Sequence, residues 1–513
     1  MKRFLGAFLV LFQLSLAWGQ TSLEKIMLKP GRYPVGFNHY LAHDSTRSYQ
    51  RIYDWNNQSI PRPIPISIWY PSVDPPADTE PLKVVDYMQI LKEEEEWEHL
   101  PDEQILNWFY YANTPANQSH LEENVTAFRN LNPARGKFPV VVYAPSYEAS
   151  SIENFAICEY LASHGYLVIA SPSRGADTRF FEGGTGKDLE TQARDIEFLV
   201  KEIAGYPNAN LEKIATVGFS FGGLSNVLSQ VRNEQIKAIV SLDGSIKYQY
   251  PTLKKSPFFD INQVNVPFIH MAQKEIPEQV IEEDKLDSTL DQFEFYDSLK
   301  YSDAYQLQFH NLTHGHFSTL GVLFQERDKR QDKTDSEIME SYRWACVYAL
   351  NFLNAYLKQD SKALVFLENQ SHQNGVNSGL ISATRKNAQK PIFTFQDFNE
   401  LAAKQDYQNL KELYVQTKKN HPSLKLPEGN LNNLGLQLVF NPKTSQKGIK
   451  VFLLATDIYP NSANLFDSLA EGYLFLDDQA NAKANFEKSL KLDSGNQNAI
   501  NRLQQLSGNG PIR

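Results

Sequence analysis

The chain has 513 residues, more than one hydrophobic core of ordinary size holds, so two or three structural units are expected. Hydrophobic residues make up 42% and charged residues 21%, the usage of a folded globular protein, which excludes global disorder. The 50 basic against 60 acidic residues give a net charge of −10, which disfavours a nucleic-acid binder. Two cysteines, Cys158 and Cys346, are too few for a disulfide framework or a four-cysteine zinc site.

Met1-Lys2-Arg3 is a basic start, Leu5 to Leu16 is largely apolar, and Ala17 and Gly19 are small residues at the positions a signal peptidase reads. The apolar run is about a dozen residues, short of the roughly 20 that span a bilayer. Residues 1–19 therefore read as a cleaved signal peptide, with Gln20 starting a secreted or periplasmic chain that has no transmembrane segment. Cys158 and Cys346 both sit in apolar, helix-like contexts and read as buried thiols, a disulfide in an oxidising compartment being the alternative.

Residues 20–135 are rich in Pro, Tyr and turn signals and are expected to be strand-rich. Ile64 to Tyr70 reads as a strand, at a sheet edge because of Pro65. Lys92 to His99 is a charge run that reads as a solvated helix face. From residue 136 the texture changes. Apolar runs at 139–144, 166–170, 214–217, 238–242, 267–271 and 304–309 read as buried strands. Helical segments separate them: 151–164 stopped by Gly165, 189–203, and one after Gly222, with a further helix at 341–357. Strand and helix in alternation define an α/β class with a mostly parallel sheet flanked by helices, which carries its functional residues at the carboxyl ends of the strands.

At the end of the third of these strands stands Gly218-Phe219-Ser220-Phe221-Gly222, a G-x-S-x-G pattern between a strand and a helix. That setting exposes a serine hydroxyl on a sharp turn at a helix N-terminus, so Ser220 is the candidate nucleophile. A serine nucleophile needs a base, and the base an orienting carboxylate. His314 and His316, in Asn311-Leu-Thr-His-Gly-His-Phe317 after the sixth strand, are both placed to serve as base. His310 and His270 fall in strands, and His372 and His421 fall beyond the sheet. For the acid, Asp243 directly follows the fourth strand, backed by Gly244. The alternative is the charged loop after the fifth strand, with Glu275, Glu278, Glu282, Glu283 and Asp284. A triad acid needs burial and fixed orientation, which favours Asp243. A serine peptidase on this fold is expected to take its acid from the later loop instead.

These residues resemble the platelet-activating-factor acetylhydrolase-like branch of the α/β-hydrolases, with dienelactone hydrolases as near relatives. The resemblance covers about residues 30 to 355. It rests on Gly218 to Gly223, Leu242-Asp243, His314-x-x-Phe317, Arg62 to Pro71, and Leu161-Ala-Ser-His-Gly-Tyr166. It implies an α/β-hydrolase fold, selects His314 over His316, and implies an oxyanion hole from the N–H groups of Phe221 and, by position, Tyr147. Where the family usually has His-Gly-hydrophobic, this chain has Pro145-Ser146-Tyr147.

The expected domains are 20–384, with a catalytic core at 136–357, and a helical region at 385–513. In the latter, Phe466, Leu469, Ala470, Tyr473, Ala482, Phe486 and Ser489 resemble a tetratricopeptide repeat. Gly448, Phe452, Ala455 and Pro460, one period of about 34 residues earlier, resemble its partner. Further helices are expected at 395–425. Such repeats offer a surface for a partner peptide or dock on their own enzyme; a non-catalytic partner-binding protein is the reading furthest from an enzyme. No cofactor motif is present, and the only metal-like spacing is His314-x-His316. The expected function is a secreted serine hydrolase acting on a small-molecule or lipid carboxylic ester.

Overall fold

The computed structural model describes residues 21–56, 58–283, 292–326, 330–389 and 393–507. The expected signal peptide lies outside them. The described chain divides into two units, one ending at Gln389 and one beginning at Lys390.

In the first unit the apolar runs become a ten-stranded sheet. The strands are β1 (Val35–Tyr49), β2 (Ile60–Pro71), β3 (Ala127–Arg129), β4 (Phe138–Ala144), β5 (Leu167–Ala170) and β6 (Ala209–Phe219). They continue with β7 (Ile236–Leu242), β8 (Phe268–Ala272), β9 (Ala304–Phe309) and β10 (Ile381–Lys386). The spatial order is β10-β9-β8-β7-β6-β4-β5-β2-β1-β3. Strands β5, β4, β6, β7, β8 and β9 are parallel, while β2 and β10 pair antiparallel against the outer members of that set.

Both faces of the parallel strands are covered, which is why they read as unbroken apolar runs. Val141 and Tyr143 point into the core beneath α1 (Phe155–Ser163) and, further along the chain, the long helix Asp335–Leu357. Val140 and Val142 point to the opposite face, where Ile196 and Leu199 of α2 (Gly186–Glu202) meet them. Leu224 and Val227 of α3 (Phe221–Arg232) continue that second layer. Each such fully buried Val, Ile or Leu side chain contributes about 1.5–3 kcal/mol. Local signals set the helix ends. Thr185 and Asp188 form a reciprocal capping box at the start of α2. Gly165 stops α1 with a φ of +85°. The helix Asp335–Leu357, termed α4, starts on the Thr334–Glu337 capping box. Cys158 on α1 and Cys346 on α4 are buried free thiols, and burial pushes both well above the ordinary thiol range.

Three sequence expectations are corrected. β2 is an interior strand, paired with β1 along its length and with β5 at Ser67, Ile68 and Trp69. Pro61, Pro63 and Pro65 are tolerated because they precede the stretch that β5 reaches, so no ladder donor is missing there. The charge run is not a solvated face: Lys92, Glu94 and Glu96 are buried. Glu94 accepts from the N–H of Ser151 at 2.9 Å and from both Ser150 and Ser151 hydroxyls; Glu96 accepts from the Tyr49 hydroxyl at 2.8 Å. The segment before β4 is not only strand-rich, since helices Val84–Glu94, Ile105–Trp108 and Pro115–Leu121 lie between β2 and β3.

The expected boundary at 384/385 falls within β10, so the sheet closes later than residue 357 and the first unit runs to Gln389. The second unit is helical throughout its described length: Phe395–Lys404, Leu410–Asn420, Glu428–Val439, Ser445–Ile458, Ala463–Phe475, Gln479–Leu492 and Gln497–Leu506. Gly435 and Gly448 permit close helix packing, because a Cβ at Gly448 would lie 2.5 Å from the Val439 backbone nitrogen and one at Gly435 would lie 2.7 Å from the Phe452 ring. Phe466, Leu469, Ala470, Ala482, Phe486 and Ser489 are all buried. Among the described residues no helix is long and apolar enough to cross a membrane.

Candidate active site

The turn from β6 into α3 is tight enough to dictate its own residues. A Cβ at Gly218 would lie 2.4 Å from the Asn226 amide nitrogen, and one at Gly222 would lie 2.0 Å from the Ala144 carbonyl oxygen at the end of β4. Ser220, between them, has φ 53° and ψ −119°, a conformation that non-glycine residues adopt only under strain from a rigid surround. Its backbone is pinned: the Ser220 N–H donates to the Leu242 carbonyl at 3.2 Å, and its carbonyl accepts from the Ser245 N–H at 2.7 Å. The hydroxyl is held at the head of α3, where helix N–H groups lack intrahelical acceptors.

Asp243, one residue past β7, is fully buried and also has a positive φ, 40°. His314 follows β9. Its Nε2 lies 2.9 Å from Ser220 Oγ and its Nδ1 lies 2.6 Å from Asp243 Oδ2. The three residues come from separate strand ends, and the structure brings them into one line. The Phe219 ring lies 5.0 Å from the imidazole, flanking one face. The structure separates the two neighbouring histidines, as His316 is buried with Nδ1 2.7 Å from the Thr313 hydroxyl. The pair therefore does not converge as metal ligands. His270 in β8 is buried, bonded to Ser241 at 2.9 Å, and burial pushes its ring down to about 4. His310 lies beside Ser382 at 3.0 Å. Of the rival acids, Glu275, Glu278 and Glu282 are exposed; the Glu283 side chain and Asp284 lie outside the described residues.

Sequence reasoning missed two residues that organise this line. The backbone N–H of Gln273 donates to Asp243 Oδ1 at 2.9 Å, and its side-chain oxygen accepts from the His314 backbone N–H at 3.0 Å. One residue thus fixes both Asp243 and the segment carrying His314. Its only sequence signal is position, a polar residue immediately after β8. The other is Glu153, buried in the turn before α1. It accepts from the Ser146 N–H at 2.9 Å, from the Ser146 hydroxyl, and from the Tyr143 hydroxyl at 3.3 Å. The N–H of Ser146 is thereby occupied, and Tyr147 is the next residue of the turn. The Tyr147 ring sits edge-on to Phe221 at 6.1 Å and to Phe181 at 4.7 Å, which ties this turn to the start of α3.

Burial pushes the Glu153 carboxyl up to about 7, against the hydrogen bonds that pull it down. Because the folded value is raised above the ordinary 4.5, its stabilising contribution is complete below that pH and is lost as pH rises through about 7. Urea unfolding of Glu153→Gln at a series of pH values is expected to give a shallower decline of stability across this window than wild type. Parallel curves would show that Glu153 does not titrate there.

The site opens into a cleft of about 690 Å³. One wall is aromatic: Trp97 stacks on Phe109 at 5.6 Å, Tyr111 stacks on Phe324 at 5.0 Å, and Trp108 and Tyr110 complete it. The Arg179 guanidinium lies 4.8 Å over Trp97 and is paired with Glu95.

Residues 126–297 match the dienelactone hydrolase family. The matched segment contains Ser220 and Asp243 and ends before His314. Among solved structures, a ferulic acid esterase from Streptomyces cinnamoneus is similar at 17% identity, covering 69% of this chain and 98% of that chain with a TM-score of 0.47. No curated protein matches the chain. The first unit has the α/β-hydrolase fold, and its match supports a hydrolase acting on esters.

Proposed function

We propose that the protein is a serine hydrolase that cleaves a carboxylic ester through an acyl-enzyme. The observation that carries this reading is the unbroken hydrogen-bond line from Ser220 Oγ through His314 to the buried Asp243. Ser220 Oγ attacks the acyl carbon while His314 Nε2 takes its proton and then passes it to the leaving alcohol. Asp243 holds the ring with Nδ1–H inward and balances the imidazolium. The oxyanion of the tetrahedral intermediate is stabilised by the N–H groups of Phe221 and Tyr147; backbone donors of this kind are unaffected by the Pro145-Ser146 departure from the family pattern. Water, activated by the same His314, then releases the acid.

The buried acid directly after β7 favours ester over peptide hydrolysis as the reading. The cleft is of the size that takes a drug-sized ligand, and its aromatic wall suits a substrate with an apolar or planar portion. Lipid acetyl esters, as in the acetylhydrolase-like branch, belong to this class. Residues 1–19 are proposed to direct export, and the helical unit to present a tetratricopeptide-like surface. An active-site fluorophosphonate is expected to label wild type at Ser220, and a panel of acyl esters to be turned over while peptide amides are not. Absence of labelling on folded protein, or turnover of peptides alone, would overturn the ester reading. N-terminal sequencing of the exported chain should begin at Gln20.

A further inference from the structure

The parallel strands have a second concavity, at their amino ends and so at the opposite end of the sheet from Ser220. It is a cleft of about 450 Å³ formed where β4 begins at Phe138, β5 is entered through Gly165, and β6 passes Asn210 to Lys213. Its charged lining is Arg32, Arg135, Lys137, Lys213 and Lys358, together with His164, and among the described residues no carboxylate lines it. In a chain of 60 acidic and 50 basic residues this is a local reversal of sign. Across the described residues none of these five cations is ion-paired, whereas Arg179, the cation lining the cleft at Ser220, is paired with Glu95.

Lys358, at the end of α4, shows what that arrangement does. Its ammonium donates to the His164 carbonyl at 2.8 Å and lies 3.9 Å from the centre of the Tyr166 ring. Burial, and then the charge of Arg32, lower its pKa to about 8, with Lys213 adding to the effect. The acid that acts on it, Asp360, is engaged elsewhere, accepting from the N–H groups of Lys362 and Ala363 at 2.9 and 3.4 Å as a helix cap. The Arg32 guanidinium is laid over Tyr33 at 4.6 Å, and the Tyr33 ring packs edge-on against Phe138 at 5.3 Å to make a rigid floor. Lys137 reaches the Ala209 carbonyl at 3.2 Å. Arg32, Lys137 and Lys358 are thus held by carbonyls and ring faces, which place them without neutralising them, and Arg135 and Lys213 line the same cleft. A multivalent anion would relieve that mutual repulsion.

We propose that this cleft is a binding site for a tetrahedral oxyanion carrying two or more charges, of the phosphate or sulfate type, separate from the catalytic cleft. Titration calorimetry of the full-length chain at low ionic strength tests it with inorganic pyrophosphate, inorganic sulfate and glycerol phosphate. Wild type is expected to bind pyrophosphate, with affinity about tenfold or more weaker in Arg32→Gln/Lys213→Gln and in Lys358→Met, and weaker again in about 0.5 M salt. Ester turnover should be unchanged in these variants, since none touches the Ser220 line. Tighter binding of pyrophosphate than of glycerol phosphate would identify a free anion as the ligand class, and the reverse a phosphate ester. Equal affinities in wild type and variants, or no binding of any of the three anions, would overturn the proposal.

Discussion

Ser220→Ala is expected to lower kcat on a small ester by on the order of 10⁶-fold, because removing the nucleophile of a triad abolishes the covalent step. The variant should remain folded. The strained turn is set by Gly218, Gly222 and backbone bonds to Leu242 and Ser245, none of which involves the hydroxyl. Asp243→Asn is expected to cost about 10⁴-fold, since an amide no longer favours the tautomer with Nδ1–H directed inward. Glu275→Gln serves as the control, because Glu275 is exposed and contributes to no part of the line. Steady-state kinetics on the purified variants checks both. Near-normal activity in Asp243→Asn together with an inactive Glu275→Gln would move the acid to the later loop and with it the preferred reaction class.

The second large effect is on stability. Arg62 on β2 is 1% exposed and grips Asp195 of α2 in a fork, Nε to Oδ1 at 3.0 Å and Nη2 to Oδ2 at 2.7 Å. It also donates to the carbonyls of Arg174, Gly175 and Ala176, just beyond β5. A single side chain therefore joins a strand, a helix and a loop. Arg62→Met should destabilise the fold by about 3–5 kcal/mol, as breaking one half of a buried pair leaves the other charge desolvated. Arg47, which also pairs with Asp195 at 2.6 Å, moderates the loss without replacing the carbonyl contacts. The double variant Arg62→Met/Asp195→Leu should recover part of it, because the Asp195 charge is no longer stranded and Arg47 keeps its pair with Asp44 at 2.6 Å. Urea unfolding measures both variants against wild type; a single variant within about 0.5 kcal/mol of wild type would show that the fork contributes little.

Much of the site was legible because its signals are local. An apolar strand running into Gly218-Phe-Ser-Phe-Gly222 encodes the turn through sterics within five residues, and Asp243 is marked by the strand that ends beside it. His314 was narrowed to one of two positions by residues and selected by resemblance. The structure separates them by giving His316 a buried partner in Thr313. The helical character of residues 395–507 was equally legible from periodicity.

What the chain pattern left open was decided by contacts between distant segments. The charge run at 92–99 looked solvent-facing because nothing within it announces Ser150 and Ser151, which come to lie on Glu94 some 56 and 57 residues away. Pro65 looked like an edge marker because local sequence does not report how far β5 extends along β2. Gln273 and Glu153 carry no motif; each matters only because the sheet order sets β8 beside β7 and the turn before α1 beside Ser146. Strand, turn and cap preferences act over a few residues, so the α/β class, the tight turn at Ser220 and the place of Asp243 at a strand end are encoded locally. Which histidine meets Ser220, which charges are buried and which cations share one cleft depend on distances that exist only once the sheet has formed, and desolvation and Coulomb interactions act through those distances.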